Sequence, residues 1–108
     1  MIRVLVADDH AVVRAGIVSL LEAEDGIEVV GEAVDGEDAV GRALALRPDL
    51  VVMDVRMPGL TGDQATARIR ESAPEIRVLV LTTYESDASI LAAIEAGASG
   101  YVRKAAPA

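Results

Sequence analysis

Residues 51–62 read VVMDVRMPGLTG: an apolar run of strand length that stops at a single carboxylate, Asp54, and turns at Pro58 and Gly59. A carboxylate at the end of a buried strand is costly unless something pairs with it. The partner must come from elsewhere in the chain.

The segment 49–54 (DLVVMD) is one of five strand-length runs rich in Val, Ile and Leu. The others are 3–7 (RVLVA), 27–33 (IEVVGEA), 77–82 (RVLVLT) and 100–104 (GYVRK). Three of them are nearly unbroken in hydrophobicity, the pattern of parallel strands covered on both faces. Helix-length segments separate them. In 9–26 the residues Val13, Ile17, Leu20 and Leu21 form an apolar stripe, with Asp9 placed to cap the start and Gly26 to follow the end. In 35–49 Asp35 can cap, Ala39, Val40, Ala43 and Leu44 make the stripe, and Pro48 follows it. In 61–74 Thr61 can cap a thin stripe through Ala65 and Ile69. In 86–97 Ser86 can cap, Ile90, Leu91 and Ile94 point inward, and Gly97 ends the helix. The alternation predicts a doubly wound α/β fold: a five-stranded parallel sheet with right-handed crossovers and helices on both faces. Only AAPA follows Lys104, so a fifth helix is expected to be absent from this chain, leaving apolar surface along the last strand and the first helix.

At 108 residues the chain fits one domain. It has no cysteine, which excludes disulfides and thiolate metal sites and makes the cytoplasm the expected compartment. No apolar stretch approaches the length of a signal peptide or a membrane span. A net charge of -8, from 18 acidic and 10 basic residues, repels a phosphate backbone. With Tyr84 and Tyr101 as the only aromatic residues, a base-stacking surface is nearly absent as well.

In an open doubly wound sheet, ligands bind beyond the carboxyl ends of the strands. There the sequence places Asp8 and Asp9 after strand one, Asp54 after strand three, Thr82 and Thr83 after strand four and Lys104 after strand five, with Ala33 alone apolar. Taken singly, each has a plain structural use: the acidic pair as helix caps, Asp54 as a turn residue, the threonines as strand filling, Lys104 as a solvated edge residue. Together they describe one site. Three carboxylates so close need a cation, and an all-oxygen donor set points to Mg²⁺, or Mn²⁺ in its place. With Lys104 and the Thr82 hydroxyl beside it, Asp54 is set up as a nucleophile toward phosphorus. Pro58 and Gly59 would turn the Arg56 carbonyl inward as a further metal ligand. His10 lies beside the acidic pair, but Mg²⁺ favours oxygen, so it reads as a partly exposed helix-start residue.

The ordered set VADDH, VVMDVRMPGLTG, VLVLTTY and GASGYVRK resembles the receiver domain of two-component response regulators over essentially the whole chain. The resemblance implies a flavodoxin-like receiver fold with strand order 2-1-3-4-5. It implies Asp54 as the phospho-acceptor, Mg²⁺ bound by Asp9, Asp54 and the Arg56 carbonyl with Asp8 assisting, and Thr82 and Lys104 gripping the phosphoryl group. Tyr101 stands where the family has its switch aromatic, so Thr82 and Tyr101 form the switch pair. The implied donor is a phosphohistidine on a sensor histidine kinase, or a small acyl phosphate, and homodimerisation on phosphorylation is implied too. The wording DDHAVVRAGI and GASGYVRK is similar to the LuxR/NarL subfamily, whose receivers precede a helix-turn-helix DNA-binding domain. Residues 1–108 are therefore expected to be the regulatory part of a transcription factor, contacting DNA only through a C-terminal domain not in this sequence, with no membrane partner and no enzyme activity beyond its own phosphotransfer and dephosphorylation. The chain departs from the commonest family pattern in having Ala105, not proline, after Lys104.

Arg56 and Tyr84, two residues after Asp54 and Thr82, could overhang an attacking water and slow dephosphorylation; otherwise they are solvated loop residues. Val12 and Val18 lie off the expected stripe of the first helix, as kinase contacts or packed under neighbouring loops. Three other readings compete. A haloacid-dehalogenase-type phosphatase would need an acid where Arg56 stands. A flavin module would need a hydroxyl- and glycine-rich loop where Asp8, Asp9 and His10 stand. A pseudo-receiver would act only as a protein-interaction module.

Overall fold

Five parallel strands, β1 (Ile2–Ala7), β2 (Ile27–Ala33), β3 (Leu50–Asp54), β4 (Arg77–Thr82) and β5 (Gly100–Arg103), form one sheet in the order β2-β1-β3-β4-β5. The computed structural model describes residues 1–54, 57–82 and 100–103, with residues 81, 82 and 100–103 described in their backbone. Three helices connect the described strands: α1 (Ala11–Glu22), α2 (Gly36–Leu46) and α3 (Gly62–Ser72). The helix expected over 86–97 lies outside the described residues. None of the described helices is long and apolar enough to cross a membrane.

The chain steps outward from β1 to β2, then returns past β1 to β3. Right-handed crossovers therefore put α1 on one face of the sheet and α2 and α3 on the other. Alternation along the strands divides the side chains accordingly. Leu5, Ala7, Val51, Met53, Val78 and Val80 join Ala39 and Ala43 of α2 and Ala65 and Ile69 of α3 in one cluster of fourteen buried residues. On the opposite face, among the described residues, Val4, Val6 and Val52 are buried together, with Ile17, Val18 and Leu21 of α1 half-buried against them.

Local chemistry fixes the ends of α2 and α3. The Asp35 carboxylate accepts the Asp38 N–H at 2.7 Å, Asp38 in turn accepts from Val34 N, and two acidic residues occupy the first turn, where the helix dipole favours them. Arg47 closes α2 in the left-handed region, at φ 50°, just ahead of Pro48. Thr61 and Gln64 form a reciprocal capping box at the start of α3. Gly36 lets the start of α2 meet the loop before α3, since a Cβ there would stand 2.0 Å from the Leu60 carbonyl oxygen.

The first helix corrects the sequence reading. Its N-cap is His10, not Asp9, and no side chain caps it. Val13 and Leu20 are exposed, whereas Arg14, Ile17, Val18 and Leu21 face inward, so Val18 lies on the packed face; Val12 is exposed. Val12 and Leu20 are exposed apolar residues of this helix. The helix closes at Ala23 in right-handed geometry, and Gly26 follows its end as expected, turning the chain into β2 at φ 88°.

Candidate metal centre

The site begins where β1 ends. Asp8 is fully buried, and its backbone N–H bonds the Ala33 carbonyl at the end of β2 at 3.1 Å. Its carboxylate accepts the His10 N–H at 2.9 Å, an Asx turn that redirects the chain into α1. Arg14, one turn into that helix, donates from Nη1 to the Asp8 carbonyl at 2.8 Å and from Nε to Glu32 at 3.0 Å. The acidic turn is thus tied to β2, to its own backbone and to α1.

Asp54 ends β3, the central strand of the sheet, and is 7% exposed. Strand alternation from Val52 puts its side chain on the α1 side, the parity that Asp8 also follows after Val4 and Val6. The ligand atoms of Asp8, Asp9, His10 and Asp54 all lie within 4.8 Å of one another. Three carboxylates at that spacing repel strongly, and a divalent cation is the partner their oxygens suit. The donor set therefore fits a divalent cation site.

The structure brings together Asp8, Asp9 and Asp54 of the expected residues. Thr82 is the last residue of β4, one beyond Leu81, which pairs with Asp54. Tyr101 pairs with Val80. The side chains of Thr82 and Tyr101, and all of Arg56, Thr83, Tyr84 and Lys104, lie outside the described residues. In the loop after Asp54, Gly59 adopts φ 75°, as a glycine-dependent turn requires. A depression of about 510 Å³ lined by Ile2, Asp49, Leu50, Arg77 and Leu79 opens at the amino-terminal end of the sheet, remote from these carboxylates.

Arg14 escaped the sequence reading. The available signal was its position as the lone cation of an otherwise apolar helix, four residues after His10. Its partner Glu32 is eighteen residues away, which no local pattern reveals.

Residues 4–108 match the family described as response regulator receiver domain. The chain belongs to that family. The receiver is 47% identical over 106 residues to the response regulator GacA of Pseudomonas viridiflava, covering 98% of this chain and 50% of that protein. It superposes with a TM-score of 0.93 on the signal receiver domain of a NarL response regulator from Mycobacterium tuberculosis, at 37% identity, covering 98% of this chain and 86% of that one. The TM-score is also 0.93, at 42% identity, for a LuxR-family two-component response regulator from Aurantimonas sp. SI85-9A1, covering 98% of this chain and 76% of that one. The receiver spans about half the length of the curated relatives it matches. It is a phospho-accepting regulatory domain of the NarL/LuxR type, which sets aside the phosphatase and flavin readings; no described residue favours the interaction-only alternative.

Proposed function

We propose that Asp54 is the phospho-acceptor and that Asp8, Asp9, Asp54 and the Arg56 carbonyl hold Mg²⁺, or Mn²⁺ in its place, beside it. The grouping of the three carboxylates within 4.8 Å, with Asp54 on the central strand, is the observation that carries this reading. The strand β3 lies between β1 and β4, so the acidic turn after β1 flanks Asp54 on one side and the end of β4, at Thr82, flanks it on the other.

An Asp54 carboxylate oxygen attacks phosphorus in line. The bond to the donor breaks as the acyl phosphate forms, and the electron pair leaves with the donor nitrogen of a phosphohistidine or the oxygen of a small acyl phosphate. The cation, when bound, neutralises charge on the transferring oxygens. Lys104 and the Thr82 hydroxyl hold those oxygens on the far side, and Thr82 and Tyr101 pass the change to the β4–β5 end of the sheet as a shift between two existing states. Arg56 and Tyr84 slow loss of the phosphoryl group to water.

The donor is a sensor histidine kinase in the cytoplasm. Phosphorylation favours a homodimer, and transcription is controlled through a DNA-binding segment beyond residues 1–108. Intact mass after incubation with a small acyl phosphate tests the reading. One phosphoryl group should be added, requiring Mg²⁺ and lost in Asp54→Ala; no Mg²⁺-dependent addition would refute it.

A further inference from the structure

One glycine stands where its backbone conformation does not call for it. Gly36 is the first residue of α2, where glycine is a poor helix former, and its φ lies outside the left-handed region that Gly26 and Gly59 adopt. Space explains it. A Cβ there would stand 2.6 Å from Leu60 Cβ and 2.7 Å from the Leu60 carbonyl carbon, and closer still to the carbonyl oxygen. Two of those three atoms are backbone, so no change of rotamer relieves the clash. Further along the same helix, a Cβ at Gly41 would meet nothing within 4 Å among the described residues.

Leu60 belongs to the loop that leads from Asp54 into α3, and that loop is held on both sides of the contact. Before it, Met57 is buried in the cluster that also takes Ala39 and Ala43 of α2. After it, Thr61 caps α3 in a reciprocal box with Gln64. The start of α2 is held as well, by the Asp35 carboxylate on the Asp38 N–H and by the full burial of Ala39 and Ala43. A side chain at position 36 therefore displaces the loop rather than the helix.

We infer that Gly36 is a positioning residue for the cation site: the bare backbone at the start of α2 is the wall against which the loop after Asp54 is set. The inference rests on reading Asp54 and the Arg56 carbonyl as cation ligands. Arg56 directly precedes Met57, so a loop pushed at Leu60 carries that carbonyl away from its place, whereas Asp8 stays tied to β2 and α1. The site keeps its three carboxylates and loses the oxygen that the loop supplies.

Calorimetric titration with MgCl₂ tests this on the parent chain and on Gly36→Ala, Gly41→Ala and Ile69→Ala, each shown to be folded by circular dichroism. Affinity for Mg²⁺ should fall about tenfold in Gly36→Ala, the scale on which supports of metal ligands act. It should match the parent in Gly41→Ala and in Ile69→Ala, the second of which loosens the core without touching the loop. In the unsubstituted protein, a reading that needs no variant to fold, the Gly36 and Leu60 amide resonances should move on adding Mg²⁺ while that of Gly41 stays in place. Parental affinity in folded Gly36→Ala, an equal loss in Ile69→Ala, or Gly36 and Leu60 amides unmoved while the Asp9 amide shifts, overturns the inference alone. Absence of Mg²⁺ binding to the parent overturns the cation site beneath it as well.

Discussion

The two faces of the sheet are built to different standards. Among the described residues, the strands, α2, α3 and the loops beside them form one cluster of fourteen buried residues, and both helices start at well-made caps. Against α1, among the described residues, three are buried together, the helix buries none of its own, and no side chain caps it. The carboxylates follow the thinner side: Asp8 runs straight into α1, Arg14 of α1 holds the Asp8 carbonyl, and Asp54 shares the parity of Val52. Among the described residues, the face under α2 and α3 holds the larger apolar cluster, and the face under α1 holds the carboxylates.

Substitutions can break that contrast or sharpen it. Ile69→Ala, in the centre of the larger cluster, should cost about 3–4 kcal/mol in urea denaturation, the range for emptying a fully buried aliphatic site. Gly36→Ala should cost about 2 kcal/mol, because the new Cβ must push the Leu60 backbone away. On the other face, Arg14→Gln should cost only about 1 kcal/mol. It should nonetheless weaken Mg²⁺ binding several-fold, because the Asp8 turn loses its tie to α1. Leu20→Ala, on the exposed side of the same helix, should stay within about 0.5 kcal/mol of the parent. Equal losses for Ile69→Ala and Leu20→Ala would erase the difference between the faces. An unchanged Mg²⁺ affinity in Arg14→Gln would separate α1 from the site.

The same contrast governs what the sequence reveals. The 27–33 and 77–82 strands match β2 and β4 residue for residue, and Asp35 and Thr61 cap α2 and α3 as expected, because caps and apolar runs are local signals. The packed stripes of α2 and α3 stand out against polar neighbours. The α1 segment, AVVRAGIVSLLE, has only Arg14 and Glu22 as charges, so its apolar residues fit more than one face: Ile17 and Leu21 of the expected stripe pack inward, while Val13 and Leu20 are exposed. Asp9 missed its capping role because the Asp8 carboxylate takes the His10 N–H and the His10 ring lies against Asp9. Of the site, Asp8, Asp9 and Asp54 were legible from their positions at strand ends. Arg14 and the ring of His10 act through contacts that exist only once β1, β2 and α1 are assembled.

The central claim is that Asp54, and not a neighbouring carboxylate, receives the phosphoryl group. Exposure alone would favour Asp9, whose side chain is 28% exposed against 7% for Asp54 as a residue. Locating the group decides between them: phosphorylate the receiver with a small acyl phosphate and Mg²⁺, trap the acyl phosphate by borohydride reduction, and map the altered residue by peptide mass spectrometry. Modification at Asp54 alone is the expected result. Modification at Asp8 or Asp9, with Asp54 intact, would contradict the account.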